Sequence, residues 1–497
     1  MNNLLDLIQQ APGTATAVIL PDTGTKVSYD SLRAQVASVA DAFASAGIAP
    51  GDRVAMSLPN GLDTIVCFLA ASVAGTAAPL NPGYRYDEFA FYMDDTNAKL
   101  LVVPSQGGDD ARRAAEERKI PVVVATVDNG EVKITPSSRT KTAGPPNPDG
   151  IALVLHTSGS TGRPKRVPLK HRNLAVSAQN IIKTYDLGPS DVALIAMPLF
   201  HVHGLVASTL ATLASGGTVV VPSKFNPLSF WRTVRDTRAT WYSAVPTIHS
   251  LLLARATSER PQGAENLRFI RSCSAALSPE MMHNLESAFG APVLEAYGMT
   301  EASHQMASNP LPPAARKPGS VGPGTGVKIA IMDAEGNLLP TGTAGEVVIQ
   351  GPNVIEGYEN NPEANATAFT KGWFRTGDQG ILDADNYLQL TARIKELINR
   401  GGEKISPREI DEVLLAHPCI AEAVSFGVPH QTWGEEVAAA VVLKGAASEP
   451  DLLSFCKERL ADFKRPKKIH IVETIPRTAT GKIQRKAVAA AFSEGSK

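Results

Sequence analysis

Ile151-Ala152-Leu153-Val154-Leu155, followed by His156-Thr157-Ser158-Gly159-Ser160-Thr161-Gly162-Arg163-Pro164-Lys165, is the stretch from which the rest of the chain can be read. The apolar run has the length and composition of a buried strand. Directly after it, four side-chain hydroxyls and two glycines fall within six residues. Glycine permits close backbone approach, and Ser and Thr supply short donors. Such a loop can wrap the oxygens of a polyphosphate, with Arg163 and Lys165 adding positive charge. It is not a Walker A loop, which needs four residues between its first glycine and Gly-Lys-Ser/Thr. A flexible Ser/Gly linker is the plain alternative. The strand before the loop and the cations at its end argue against that.

On the N-terminal side, helical and extended patterns alternate. Leu32, Val36, Val39 and Phe43 fall at helical spacing, with Gly47 as a stop. Val54, Met56 and Leu58 alternate as in a strand ended by Pro59-Asn60-Gly61. Ile65, Leu69 and Val73 make a second helical stripe, and Leu100 to Val103 a second strand. This alternation predicts a parallel sheet covered by helices. The Ser/Thr/Pro/Gly-rich residues 137 to 150 read as a surface loop, because the pattern resumes at Ile151.

On the C-terminal side, further strands are expected at Val192 to Met197, Thr218 to Val221, Thr240 to Val245 and Leu267 to Arg271. Helices are expected at Pro227 to Asp236 and Pro279 to Phe289, each with Pro near its start. From about residue 318, short strands (Lys328 to Met332, Gly345 to Gln350, Tyr387 to Leu390) imply a small β region. After Arg393 the pattern changes again. Ser406-Pro407-Arg408-Glu409 reads as a capping box opening a helix to His417. Strands near Ala421 to Val428 and Val437 to Leu443 follow, then a helix over Asp451 to Leu460. The fold class is α/β. A large N-terminal domain, 1–393, holds parallel αβ sheets and the small β region. A smaller α+β domain, 394–497, has enough chain for its own core.

Composition narrows the function classes. The 497 residues carry a net charge of −1, which gives no reason to expect nucleic acid or an anionic membrane as partner. Cys67, Cys273, Cys419 and Cys456 are widely spaced and fit a reducing compartment. Met1-Asn2-Asn3 lacks the basic and apolar regions of a secretory signal, and no apolar run is long enough to span a bilayer. Gly495-Ser496-Lys497 is not a clear peroxisomal address. A cytoplasmic chain acting on small molecules, as a monomer or weak homodimer, is the expectation.

The Thr157–Lys165 loop resembles the phosphate-binding signature of the adenylate-forming enzymes: acyl-CoA synthetases, luciferases and peptide-synthetase adenylation domains. Four more stretches match that family in the same order: Tyr297-Gly298-Met299-Thr300-Glu301, Trp373-Phe374-Arg375-Thr376-Gly377-Asp378, Arg393-Ile394-Lys395-Glu396-Leu397-Ile398 and Thr480-Gly481-Lys482-Ile483. Together they cover essentially the whole chain. The resemblance implies a mobile C-terminal lid and a two-step reaction. A carboxylate attacks the α-phosphorus of ATP and expels pyrophosphate. A thiol, that of coenzyme A, then attacks the acyl-adenylate and expels AMP. Both steps develop charge on oxygen, so donors and cations must be in place beforehand, and Mg²⁺ is the expected counter-charge.

By the same resemblance, Thr157, Ser158, Gly159, Ser160, Thr161, Gly162 and Lys165 hold the departing pyrophosphate. Tyr297 and Gly298 lie at the adenine, Thr300 at the α-phosphate, and Glu301 helps hold Mg²⁺. Asp378 and Arg393 take the ribose. Lys482 bridges carboxylate and α-phosphate, Lys395 is the hinge, Gly401 and Gly402 line the pantetheine tunnel, and Lys404 approaches AMP. On residue type alone, Tyr297 could instead be core, Glu301 a surface carboxylate, Asp378 an Asx-turn residue and Lys482 a solvated lysine. Two positions depart from the family pattern: Arg166 replaces a usual Gly, and Thr391-Ala392 precede Arg393.

The acid pocket of the family lies between segments that read here Pro198-Leu199-Phe200-His201-Val202-His203-Gly204, Arg271-Ser272-Cys273-Ser274-Ala275-Ala276 and Glu301-Ala302-Ser303-His304. His201, Ser274 and His304 make that pocket polar, which implies a small polar acid; if the acid carries a second carboxylate, that charge must be paired or bonded when buried. These segments are most similar to those of the oxalate–CoA ligases, so oxalate is the expected acid. The alternatives are another short, malonyl or 4-coumaroyl-type acid, amino-acid activation of the peptide-synthetase kind, and a silent nucleotide-binding protein. A metal held by His201, His203 and His304 is a further reading.

Overall fold

The computed structural model describes residues 3–137, 140–157, 164–257, 259–478 and 483–493. Contacts divide the chain into two units. The first comprises Met1–Leu277, Met281–Lys328 and Ile349–Phe374; the second comprises Ser278–Glu280, Ile329–Val348 and Arg375–Lys497. The cut expected between 393 and 394 falls inside the second unit, between its two sheets.

Two sheets build the first unit. In the seven-stranded sheet the order is Glu131–Thr135, Val122–Asp128, Ala98–Pro104, Arg53–Met56, Thr76–Pro79, Ile151–Thr157, Lys165–Lys170. Its interior pairs are parallel and both outer pairs are antiparallel hairpins. The eight-stranded sheet runs His304–Ser308, Val293–Met299, Phe269–Ser272, Trp241–Ala244, Val192–Ile195, Thr218–Val220, Thr16–Leu20, Thr25–Ser28, again parallel inside and antiparallel at both ends. The Ile151 strand pairs in parallel with Thr76–Pro79, so residues 137–150 connect strands of one sheet.

The helix Tyr29–Ser45 buries Leu32, Val36, Val39 and Phe43 and stops at Gly47, whose φ is +96°. Leu62–Ala74 differs from its expected single stripe. Every residue except Val73 is buried, as an apolar helix without a polar face must be. Val73, taken as part of the buried stripe, is the exception. The expected capping box at Ser406 is also not formed. Ser406 Oγ donates to Thr391 O at 2.5 Å, and Glu409 meets Lys464 at 2.8 Å. A tertiary acceptor has taken the hydroxyl that the local motif needs.

The hairpin Trp373–Leu382 with Leu388–Arg393 belongs to a five-stranded sheet. A further five-stranded sheet carries the C-terminal hundred residues, with Ile420–His430 and Gly434–Leu443 as its long pair. Ile398, Ile410, Leu414, Val437, Leu452 and Ile469 are among its buried core. No helix among the described residues is long and apolar enough to cross a membrane.

His171 links this packing to pH. It is buried, its Nε2 meets Ser72 O at 2.9 Å, and its Nδ1 accepts from Leu4 N–H at 3.3 Å. Protonating Nδ1 would break the second bond, and burial pulls the imidazole down to about 4 from 6.5. The unfolded state therefore binds more protons between those values, so this contribution to stability falls as pH drops through that window, by about 1.4 kcal/mol per unit. Buried His249 has the same sign, whereas Asp63, pushed up to about 6 by burial, has the opposite one. The difference between variants isolates His171. In urea unfolding from pH 7 to 5, His171→Gln should lose stability less steeply than the unaltered chain. Equal slopes would remove His171 from the account.

Candidate active site

Strand pairing places the two ends of the glycine-hydroxyl loop side by side, because Thr157 and Lys165 are register partners. Ser158, Gly159, Ser160, Thr161 and Gly162 lie outside the described residues. The ends converge on a carboxylate. Thr157 Oγ1 donates to Glu301 Oε1 at 3.4 Å, Tyr358 Oη donates to the same oxygen at 2.9 Å, and Lys165 Nζ lies 4.4 Å from the centre of the Tyr358 ring. Asn365 holds Tyr358 by both backbone groups, at 2.7 and 2.8 Å. Tyr358 carries no motif of its own in the sequence, and only packing brings it here.

Arg166 points into a separate ionic network. It meets Asp95 at 3.2 Å and Glu359 at 3.6 Å, while Asp95 also bonds His156 Nε2 at 2.9 Å. Burial outweighs Asp95 and pulls the His156 imidazole down. The departure from the usual Gly thus has a structural partner set on the strand side of the loop.

Tyr297, Gly298, Thr300 and Glu301 are placed by the strand Val293–Met299 and the short 3₁₀ turn Thr300–Ala302 that follows it. Tyr297, Thr300 and Glu301 are buried. The chain then doubles back through Ser303 (φ +54°) and His304 (φ +108°) into the antiparallel strand His304–Ser308. The turn is so close that a Cβ on Gly298 would stand 2.2 Å from His304 O. The glycine of this motif is thereby fixed by packing. Non-glycine residues at positive φ are uncommon and cluster where surroundings over-determine them.

His304 joins a buried polar cluster. His203 Nδ1 lies 3.0 Å from Ser274 Oγ, and its Nε2 lies 2.6 Å from Ser243 Oγ. The His203 and His304 rings are 5.2 Å apart. The imidazole that meets Ser274 is that of His203, two residues beyond the His201 expected in the acid pocket. His201 Nδ1 instead accepts from the His203 backbone N–H at 3.3 Å. The cause is local: a π-helix, His203–Leu210, begins at the second histidine and turns it inward. Under the cluster lies Arg271, 0 % exposed. Its Nε donates to Tyr185 Oη at 2.8 Å, Nη1 to Ser243 Oγ at 2.9 Å and Nη2 to Gln305 Oε1 at 3.0 Å. Arg271 and Ser243 lie in strands expected from the sequence, but no motif marks them, Tyr185 or Gln305 as partners.

In the second unit, Asp378 and Arg393 are register partners on the paired strands, and Arg393 Nε donates to Asp378 Oδ1 at 2.6 Å. Asp378 is buried while Arg393 is half exposed. The Thr391-Ala392 departure is absorbed by the same hairpin, where Thr391 Oγ1 donates to Gln379 Oε1 at 3.0 Å. Lys395 is exposed in the 3₁₀ turn Ile394–Glu396. Gly401 (φ +58°) and Gly402 (φ +93°) make the two-residue turn of the hairpin Ile398–Arg400 with Glu403–Ile405. A Cβ on Gly401 would meet the Trp433 ring at 2.9 Å. Lys404 is exposed and bonds Asn399 Oδ1. Lys482 lies outside the described residues; on either side of it Arg477 and Ile483 form an isolated bridge, and Gln484 N–H donates to Pro476 O at 2.9 Å. Arg485, next along the chain, is anchored to Glu396 at 3.1 Å and Asp411 at 2.8 Å.

Comparison with known proteins places the chain in a family. Residues 7–359 match the AMP-binding enzyme family, and residues 409–482 match the AMP-binding enzyme C-terminal domain. The chain is 49% identical to an oxalate–CoA ligase of Arabidopsis thaliana, over 90% of this chain and 90% of that protein. It is 44% identical to an oxalate–CoA ligase of Saccharomyces cerevisiae, over 97% and 95%. The crystal structure of ATP-bound MatB from Rhodopseudomonas palustris superimposes with a TM-score of 0.92 at 31% identity, covering 100% of both chains. With its signature strands, its glycine-hydroxyl loop and its C-terminal unit all in family order, the chain belongs to the AMP-binding enzymes.

Proposed function

We propose that this chain is an AMP-forming acid–thiol ligase whose acid is oxalate. It takes oxalate, ATP and CoA to oxalyl-CoA, AMP and pyrophosphate. The observation that carries the choice of acid is the cluster of His203, Ser274 and His304 over a fully buried arginine. A fatty or aromatic acid would offer no acceptor to the Ser274 hydroxyl or to the His304 imidazole, at a cost that rejects it. A second carboxylate offers them acceptors. The relatives named above support the same acid.

In the first step a carboxylate oxygen attacks the α-phosphorus and the bond to pyrophosphate breaks. Thr300 and Lys482 stabilise the charge on the α-phosphate, and the loop 157–162 with Lys165 holds the leaving pyrophosphate. The oxygen-only donor set at Glu301, a buried carboxylate beside two hydroxyls, fits a hard cation such as Mg²⁺. When bound, Mg²⁺ neutralises phosphate charge. Tyr297 stacks on adenine, and Asp378 with Arg393 holds the ribose. In the second step the CoA sulfur attacks the acyl carbon and AMP leaves. Lys395 is the hinge of the lid, 394–497, between the steps; Gly401 and Gly402 line the pantetheine passage, and Lys404 approaches AMP. The enzyme works on small molecules in the cytoplasm, as a monomer or weak homodimer.

Pyrophosphate release with ATP, Mg²⁺ and CoA over a panel of oxalate, malonate, acetate and 4-coumarate tests the acid. Oxalate should give the highest kcat/KM, by about 10²-fold over 4-coumarate. A higher value with malonate or 4-coumarate would sink the oxalate assignment.

A further inference from the structure

Arg271 is a guanidinium at 0 % exposure, and its partners within 3.0 Å are all neutral: Tyr185, Ser243 and Gln305. Among the described residues it forms no ion pair with a carboxylate. An uncompensated buried charge is costly, and folds retain one where something else uses its field.

The hydrogen directions around it follow from one fact: arginine only donates. Arg271 Nη1 reaches Ser243 Oγ at 2.9 Å and His203 Nε2 at 3.5 Å. Because Arg271 Nη1 can only donate, the His203 Nε2 it faces is an acceptor, and Ser243, which accepts from the same guanidinium, gives its own hydrogen to that nitrogen, 2.6 Å away. That nitrogen must then carry the lone pair, and the His203 proton sits on Nδ1. From Nδ1 it points to Ser274 Oγ at 3.0 Å. Ser274 accepts there, which leaves its O–H to donate elsewhere. Arg271 Nη2 faces His304 Nδ1 at 3.4 Å, which sets the lone pair on that atom and the proton on Nε2. Gln305 Oε1 accepts from both Arg271 Nη2 (3.0 Å) and Tyr185 Oη (2.9 Å), so the base of the network has its directions fixed as well.

We propose that Arg271 is a positioning residue that sets His203 as the Nδ1–H tautomer, which turns the Ser274 O–H outward, and His304 as the Nε2–H tautomer, and so presents the Ser274 O–H, the His304 Nε2–H and a buried positive field to the far carboxylate of a dianionic acid. The inference deepens the oxalate reading and rests on it for the identity of the acid; the tautomer assignment does not. A lysine at 271 would keep a charge but lose the planar fork that addresses three oxygens at once. A methionine would fill similar volume with neither. In both, the two imidazoles are released from their assigned protonation sites.

The test uses the full-length enzyme with ¹⁵N-labelled histidine, with signals assigned by loss in His203→Gln and His304→Gln. In the unaltered enzyme, His203 should show a pyrrole-like Nδ1 and a pyridine-like Nε2, and His304 the reverse. A pyridine-like His203 Nδ1 or a pyridine-like His304 Nε2 there overturns the proposal without any variant of Arg271. In Arg271→Met this pattern should be lost, and KM for oxalate should rise by about 10²-fold, while KM for acetate changes by less than about threefold. Arg271→Lys should fall between them on oxalate. Unchanged tautomers in Arg271→Met, or equal losses with oxalate and acetate, would mark Arg271 as a structural residue only. If the acid panel rejects oxalate while the tautomers hold, the positioning role stands and the acid reading fails.

Discussion

Lys482→Ala should lower acyl-adenylate formation by about 10²–10³-fold, the loss seen when a stabilising donor is removed from a developing oxyanion. The same variant should convert supplied acyl-adenylate and CoA to thioester at a rate within about threefold of the unaltered enzyme. The two half-reactions are separable by following pyrophosphate release in one assay and AMP release from synthetic acyl-adenylate in the other. The chain around Lys482 gives the experiment its meaning. Arg477 and Ile483 pair across the segment, and Arg485 is held by both Glu396 and Asp411. Burial raises the Asp411 carboxyl even though Arg485 opposes it, so this anchor is a packed, largely dry contact. An alanine at 482 leaves those anchors untouched, and a selective loss reports the missing ammonium. Equal loss in both steps would contradict a lysine used only for adenylation.

Glu301→Gln is the second large effect. The amide keeps an acceptor for Tyr358 Oη and Thr157 Oγ1, which reach the present carboxylate at 2.9 and 3.4 Å. The fold around the turn Thr300–Ala302 should therefore survive, with a melting temperature within a few degrees. What is removed is the negative charge. Adenylation should fall by about 10²-fold, and the Mg²⁺ concentration for half-maximal rate should rise by about tenfold. Titrating MgCl₂ at fixed ATP and oxalate measures both. An unchanged Mg²⁺ dependence would remove Glu301 from the cation site.

The signature stretches were legible before any coordinates. The motif Tyr297-Gly298-Met299-Thr300-Glu301 takes its roles from the family resemblance, since residue type alone leaves Tyr297 as core and Glu301 as a surface carboxylate. Asp378 and Arg393 were each assigned to the ribose from separate motifs, and strand register makes them partners. Other features were illegible for physical reasons. His201 and His203 are equivalent in a linear reading, and only the start of the π-helix decides which turns inward. Tyr358 lies in an irregular stretch, and Asn365 positions it through two backbone bonds that no local pattern encodes. The capping box at Ser406 read correctly as local chemistry and was overruled by Thr391 O.

The sequence by itself therefore determined the α/β class, the order of the signature stretches and the family to which they belong. These depend on periodicity, turn residues and short motifs, which are local properties of the chain. The tertiary structure alone decided what lies behind Ser274, His203 and His304. Arg271 and Ser243 come from paired parallel strands, Gln305 from the antiparallel strand His304–Ser308 and Tyr185 from the end of the helix His171–Tyr185, and only the folded chain brings the four together. Hydrogen-bond direction is a property of that assembly, since a tautomer is fixed by the group on the far side of the ring. No spacing along the chain carries it.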